Sequence, residues 1–454
     1  MPALSLAMIT KNEADCLGHC LESVRGLVDE IVVLDTGSSD ATVAVARSFG
    51  ARIGQFPWCD DFSAARNASL QLCTGDWVLV LDADEAIDPL DHGKIRRALE
   101  PRPDPGAKGP QGFRLISRNY MMDSLARLFD QQAQPNRSAY REGAQFPYYA
   151  DGWIFRLFRR LPDLRFEGRI HERADPFLER RRLPIGRLDA VIHHYGKLDP
   201  GEEEAKRPYY LELAERDAAE VPGDVNRQFF VMVQADLLGQ WDKALQAGLA
   251  AMKLQPRGLP YVVPVTVARA YQQLGKHAKA APLLLQVLKQ HPDHPQAACA
   301  LVYSLLDLGR VEDARPHLER LLAAHPQEPM IHVSFSHLEE ATGRLAEARQ
   351  HLCAAIAANP GDKSLRHLLV QQDLRLGLTA RAAADAMDAL RALPGEGGGQ
   401  WHALAAGFLL KDGHLGPGKA VLDLGLARFP DNEDLRKLAA ALPAPGGPAE
   451  AAGT

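Results

Sequence analysis

Asp76-Trp77-Val78-Leu79-Val80-Leu81-Asp82-Ala83-Asp84-Glu85 is where the architecture of this chain can be read most directly. Five consecutive apolar residues, Trp77 to Leu81, describe a strand buried on both faces of a parallel sheet. Two aspartates separated by one alanine follow at once. Carboxylates then stand at the carboxyl edge of a buried strand, where open α/β sheets bind their ligands. Hard oxygen donors suit Mg²⁺ or Mn²⁺, an ion usually shared with a substrate's phosphates. Taken alone, the same pattern also fits a solvated acidic turn, so the flanking sequence has to decide.

On the amino-terminal side the pattern repeats. Ala3 to Ile9 reads as a first buried strand that runs into the polar loop Thr10-Lys11-Asn12-Glu13. The next helix carries Leu17, Cys20, Leu21 and Val24 on one face. Glu30 to Leu34 is a second strand, closed by Asp35-Thr36-Gly37-Ser38-Ser39-Asp40, where glycine permits a sharp turn and a serine is expected to cap a helix through Phe49. A short third strand near Ile53 and a helix from Phe62 to Leu72, carrying Arg66 and Asn67, lead to the central strand. Strand–helix alternation of this kind predicts a parallel, doubly wound sheet. The polar loops after the first, second and fourth strands gather along one edge and form a site.

At 454 residues the chain exceeds what one core supports. A hydrophobic fraction of 46% and a charged fraction of 24% are those of an ordinary soluble protein, and a net charge of -6 gives no reason to expect a nucleic-acid surface. The six cysteines show no paired zinc-type spacing and read as reduced thiols, which favours the cytoplasm. No basic region leads into a long apolar run, and no stretch approaches eighteen uninterrupted apolar residues, so neither a signal peptide nor a membrane span is expected.

Four motifs now stand in order: Ile9-Thr10-Lys11-Asn12-Glu13, Val33 to Thr42, Phe62-Ser63-Ala64-Ala65-Arg66-Asn67, and Leu81-Asp82-Ala83-Asp84-Glu85. Over roughly residues 3–120 they resemble the family 2 glycosyltransferases, enzymes of the α/β GT-A fold, Rossmann-like with a mostly parallel sheet. The resemblance implies transfer of a hexose from a nucleoside diphosphate sugar, by preference a uridine one, mostly with inversion and with Mn²⁺ or Mg²⁺. It places Thr10, Asn12 and Glu13 beside the nucleotide, Asp35 on the base or ribose, and Arg66 near the base or diphosphate. Asp82 falls near the ribose or metal and Asp84 on the metal. A departing diphosphate develops negative charge that a divalent ion stabilises.

Further along, Pro101 to Pro110 reads as a surface loop, Gln111 to Ser117 as a strand, and Asn119 to Asp151 as either an acceptor-binding lid or an irregular packed loop. Trp153 to Arg160 is a strand, and Phe166-Glu167-Gly168-Arg169-Ile170-His171-Glu172 follows it. These segments resemble a bacterial branch of the same family that glycosylates lipooligosaccharide cores or peptides. An inverting transfer needs one carboxylate to take the acceptor's proton. Glu172 is the candidate base, with Asp151 behind it, although the usual Glu-Asp pair of the family is not visible. Ala190 to Gly196 is similar to the last strand of that branch, and His193 is the candidate to complete the metal shell, against a hydrogen-bonded structural histidine.

From Glu202 the pattern turns to amphipathic helices. Gly239, Gly275, Gly309, Gly343, Gly377 and Gly413 recur at 34- or 36-residue intervals, an alanine follows about five residues on, and a proline stands 17 residues later. This is similar to the tetratricopeptide repeat, a helical solenoid whose concave side commonly binds a peptide or protein. The expected organisation is a glycosyltransferase domain over 1–200, helical repeats over 201–442 and a disordered tail over 443–454. The expected partners are a nucleotide-sugar donor, a protein, peptide or glycan acceptor, and a protein on the repeats. The alternative is an inactive nucleotide-sugar-binding scaffold whose repeats do the work, against which the intact Asp82-Ala83-Asp84 argues. A nucleotidyltransferase would be expected to carry glycine in its first loop, which Thr10 to Glu13 lacks.

Overall fold

The computed structural model describes the chain except residues 101–108, 122–126, 129–130, 197–199, 256, 377–380, 383, 387, 389–397, 412, 414 and 443–454. The loop expected over 101–110 and the tail expected from Pro443 therefore fall largely or wholly outside the described residues.

The chain divides into two compact units, Met1–Thr266 and Val267–Thr454. In the first, strands β1 (Leu4–Thr10), β2 (Glu30–Asp35), β3 (Arg52–Gln55) and β4 (Trp77–Val80) alternate with helices α1 (Ala14–Ser23), α2 (Thr42–Ser48) and α3 (Phe62–Leu72). They pair in parallel in the order β3-β2-β1-β4. Both faces of this half are buried, as the run of apolar residues predicts. Trp77, Leu79 and Leu81 join Leu4, Leu6 and Met8 in one core, while Val78 and Val80 join Ala7 and Val32 in the other.

The sheet then changes character. β5 (Glu85–Ile87) and α4 (Pro89–Leu99) lead to β6 (Gly112–Met121). The short pieces β7 (Arg127–Leu128), β8 (Gln131–Gln132) and β9 (Gln134–Pro135) precede β10 (Tyr148–Arg159), α5 (Asp175–Arg180) and β11 (Ile185–His194). β10 lies antiparallel between β4 and β6, and β11 runs parallel to β6 and antiparallel to β5. The result is a mixed nine-stranded sheet among the described residues, parallel in its first four strands. The segment expected as a lid or loop between Asn119 and Asp151 joins this sheet through the end of β6, β9 and the start of β10, while β7 and β8 pair apart from it and residues 136–147 are irregular. Asp151 pairs with Arg118 across β10 and β6, and Tyr120, Phe146 and Tyr195 stack together. The expected serine cap on α2 is absent. Its N-cap is Ala41, and the Asp40 carboxylate accepts instead from the Thr42 N–H at 3.0 Å.

Helices α6 (Pro200–Glu220), α7 (Val225–Leu237) and α8 (Trp241–Leu254) also belong to the first unit. Beyond them run α9 (Val262–Gln273), α10 (His277–Gln290), α11 (Pro295–Asp307), α12 (Val311–Ala324), α13 (Pro329–Ala341), α14 (Leu345–Ala358) and α15 (Lys363–Arg375). Three more helices span Gly398–Lys411, Leu415–Arg428 and Glu433–Ala441. Gly239, Gly275, Gly309, Gly343 and Gly413 all turn between paired helices at φ of 66° to 81°, a conformation that only glycine adopts without penalty. The alanines five residues after Gly239, Gly275, Gly309, Gly343 and Gly377 (Ala244, Ala280, Ala314, Ala348, Ala382) are fully buried. In the last repeat this position is Gly418, where a Cβ would meet Leu410 at 2.8 Å.

Candidate active site

At the edge where β1, β2 and β4 end lies a cavity of about 1410 Å³. Thr10, Lys11, Asn12 and Glu13 line it after β1, Thr36 after β2, and Asp82 and Asp84 after β4. Arg66 reaches in from α3, Arg156 from β10, His194 from the end of β11, and His171 and Glu172 from the loop before α5. Trp58, Phe62, Tyr209, Tyr210 and Phe230 form an aromatic side.

The polar centre is built on two arginines. Helix α3 starts at Asp61, whose side chain accepts from the Ala64 N–H at 2.9 Å. Ser63, Arg66 and Ser69 then fall on its buried face at helical spacing. From there Arg66 places Nη2 2.7 Å from Asp82 Oδ1 and donates from Nε to Glu172 Oε1. Arg156 places its own Nη2 2.6 Å from Asp82 Oδ2. Despite desolvation, Arg156 and Arg66 hold the Asp82 carboxyl far below the usual carboxylate range. Burial, with the charge of Asp82 added, pushes its neighbour Glu85 up instead.

Both oxygens of Asp82 are thus committed to guanidinium groups, while Asp84 faces an imidazole. Its Oδ2 lies 3.4 Å from Nε2 of His194. Desolvation opposes the charged imidazole, yet the carboxylates of Asp84, Glu85 and Asp82 raise His194 to about 9. His193, the histidine expected at the metal, is elsewhere. Successive residues of a strand point to opposite faces, and β11 buries His193 completely with Nδ1 2.6 Å from the Tyr120 hydroxyl. His194, and not His193, is the histidine of this strand that lines the cavity.

Other expected residues divide in the same way. Thr10, Asn12, Glu13, Arg66, Asp82, Asp84 and Glu172 all line the cavity. Asp35 stands beside it, next to Thr36, and its carboxylate accepts from the Gly37 and Ser38 N–H groups at 3.2 and 3.1 Å, which shapes the loop after β2. Asp151 is not among the lining residues. Its two oxygens take a bidentate pair from Arg118, each at 2.8 Å, so the second candidate base is engaged outside the cavity lining. Arg156 went unrecognised among the arginines that alternate along its strand, and Tyr209, Tyr210 and Phe230 come from a region that reads only as helical repeat.

Three cavity residues carry buried polar atoms without a hydrogen-bond partner among the described residues: Thr10 Oγ1, Arg66 Nη1 and Arg156 Nε. Leaving such donors unmet costs on the order of 1–3 kcal/mol each, and more when they are charged. Asn12 and His171 also hold left-handed backbone, at φ of 55° and 54°. Outliers of this kind cluster at ligand sites.

A sheet edge with an acidic strand end, an arginine pair and a large cleft is where an open α/β sheet binds its ligand. Residues 5–134 match the profile of the Glycosyl transferase family 2, and residues 267–329 and 299–363 match the Tetratricopeptide repeat. The chain carries a family 2 glycosyltransferase domain followed by tetratricopeptide repeats. It is 37% identical over 205 residues to a TPR repeat-containing protein of Synechococcus elongatus, covering 43% of each chain. An uncharacterized glycosyltransferase of Rickettsia felis is 39% identical over 87 residues, 19% of this chain and 30% of that one. The SPbeta prophage-derived glycosyltransferase SunS of Bacillus subtilis is 25% identical over 207 residues, 45% of this chain and 42% of that one. The chain thus spans less than half the length of each of these relatives. No helix among the described residues is long and apolar enough to cross a membrane.

Proposed function

We propose that the cavity transfers a hexose, with inversion, from a nucleoside diphosphate sugar to an acceptor. The observation that carries this reading is the pair of buried guanidinium groups with unmet N–H donors, Arg66 Nη1 and Arg156 Nε, in the cavity that Asp84 also lines. Such donors suit phosphate oxygens, which accept charge-assisted hydrogen bonds. Thr10, Asn12 and Glu13 line the same cavity and are assigned to the nucleotide.

Among the described residues no three acidic, histidine or cysteine groups form a ready-made metal site. One carboxylate and one imidazole nevertheless fit an ion that takes its remaining ligands from phosphates. Asp84 and His194 would hold it, His194 after giving up its proton. Bound there, Mn²⁺ or Mg²⁺ would neutralise charge developing on the leaving diphosphate.

Glu172 is the proposed base. Arg66 engages Oε1, which leaves Oε2 to accept the acceptor's proton as the acceptor attacks the anomeric carbon. The bond between that carbon and the diphosphate oxygen breaks, its electrons leave with the nucleoside diphosphate, and configuration inverts. Arg66 touches both Asp82 and Glu172, so one side chain ties the donor end to the acceptor end. The repeats are assigned to an acceptor or partner protein. Asp84→Ala should abolish Mn²⁺-dependent hydrolysis of a panel of UDP- and GDP-hexoses. Unchanged turnover together with metal-independent UDP binding in titration calorimetry would overturn the reading and favour a scaffold.

A further inference from the structure

The loop that bears Glu172 is held from outside the sheet. Its backbone bends at His171 into the left-handed region, φ 54°, which costs a non-glycine residue on the order of 1 kcal/mol. What holds it there is helix α7. The His171 ring stacks on Phe230, centroids 4.2 Å apart and planes 19° from parallel. His171 Nε2 accepts from Gln234 Nε2 at 3.2 Å, one helical turn along from Phe230. Gln234 is itself buried. The flank of the loop is tied to α6, where Asp217 accepts from the Arg169 N–H at 3.1 Å and Glu220 accepts from Arg169 Nε at 2.8 Å.

We propose that Phe230 and Gln234 of helix α7 are positioning residues for Glu172, acting through His171, so that the first helices after the sheet complete the catalytic unit. This rests on Glu172 as the base. A carboxylate held on one side by Arg66 Nε and fixed at its backbone by a stacked neighbour has few alternative orientations. An acceptor proton has to be met within about 3 Å, and a misplacement of 1 Å can cost on the order of 100-fold in rate. Burial pushes the His171 imidazole down, against the charge of Glu172, so the ring stays neutral and its Nε2 remains an acceptor for the Gln234 amide. A bland packing role for Phe230 would leave the left-handed bend and the ring-to-amide bond of His171 without purpose. The extent of the chain points the same way, because α6 and α7 fall within the compact unit that ends at Thr266.

The test uses the full chain with Mn²⁺ and the best turned-over member of a UDP- and GDP-hexose panel, water serving as acceptor. Phe230→Ala should lower kcat at least ten-fold while leaving the donor KM within two-fold, and Phe230→Tyr, which keeps the stack, should retain kcat within two-fold. Gln234→Leu should lower kcat in the same direction without changing KM. Glu172→Gln is measured alongside. If Glu172→Gln abolishes turnover while Phe230→Ala leaves kcat intact, the positioning role is overturned and the base assignment stands. If neither variant changes kcat, the base assignment itself fails. A Phe230→Ala variant whose kcat and KM change together, with Phe230→Tyr equally impaired, shows a merely structural contact and also overturns the proposal.

Discussion

At the end of β11 one histidine ring lies among Tyr120, Tyr140 and Arg118 while the next is 3.4 Å from Asp84. The difference of one position sends them to opposite faces of the sheet and to opposite electrostatic fates. Burial, helped by Arg118, pushes His193 down to about 4, whereas its acidic neighbours raise His194 to about 9. The Tyr120 hydroxyl donates to the Glu142 carbonyl at 2.8 Å, so His193 carries its proton on Nδ1 and Nε2 is left as a buried acceptor. Protonating it would bury a charge. In the unfolded chain the imidazole takes up a proton near its ordinary 6.5, while the folded state resists until about 4. The unfolded state then binds more protons within that window, and stability falls as the pH drops through it, by up to about 1.4 kcal/mol per unit. Denaturant midpoints between pH 7 and pH 4 should therefore decline less in His193→Leu than in the parent. His194→Leu should behave differently, losing Mn²⁺-dependent UDP binding while His193→Leu retains it. Calorimetry showing equal binding loss in both would refute the assignment of the two faces.

The repeat helices show how little side-chain chemistry a turn needs and how much a packed position does. Gly343 sits at φ 76° with nothing within 4 Å of where a Cβ would be, so Gly343→Ala meets a backbone penalty alone. That substitution should cost about 1 kcal/mol, seen as a lowered denaturant midpoint at unchanged slope. Gly418 is the opposite case. Its φ is unremarkable, but a Cβ would strike the Leu410 side chain at 2.8 Å and approach its backbone nitrogen at 3.1 Å. Gly418→Ala should therefore cost more than Gly343→Ala, and the reverse order would show that backbone strain outweighs packing here. The repeat also propagates an ion pair. Arg315 grips Glu339 at 2.8 and 3.1 Å, and 34 residues on Arg349 grips Asp373 at 2.6 and 3.2 Å. Each joins the second helix of one repeat to the first helix of the next, which sets the register of the stack.

For the chain as a whole, the first compact unit runs from Met1 to Thr266 and so takes in helices α6, α7 and α8. Trp58 Nε1 donates to the Tyr209 hydroxyl at 2.7 Å, Tyr209 donates to Asp60 at 2.6 Å, and Phe62 packs edge-on against Tyr210. A chain ending at Gly196 should consequently unfold at a lower temperature than one ending at Thr266 and lose UDP binding. Equal midpoints and equal binding would show that α6 and α7 are dispensable to the domain. The alternation of buried strands, the carboxylates at Asp82 and Asp84, and the glycine–alanine–proline repeat were legible because each is local: period, turn and stop are written in consecutive residues. The pairing of Asp82 with both Arg66 and Arg156, the choice of His194 over His193, and the retreat of Asp151 to Arg118 were not. They depend on which strands become neighbours and in what register, and a shift of one residue exchanges the faces. Likewise only the folded chain brings Phe230 against His171, 59 residues apart in sequence. Sequence by itself determined the two architectures and the donor-side acids, because strand burial and helix repeats follow from short-range pattern. Tertiary structure decided which charges neutralise one another and what holds Glu172, because those contacts exist only once distant segments share a cavity.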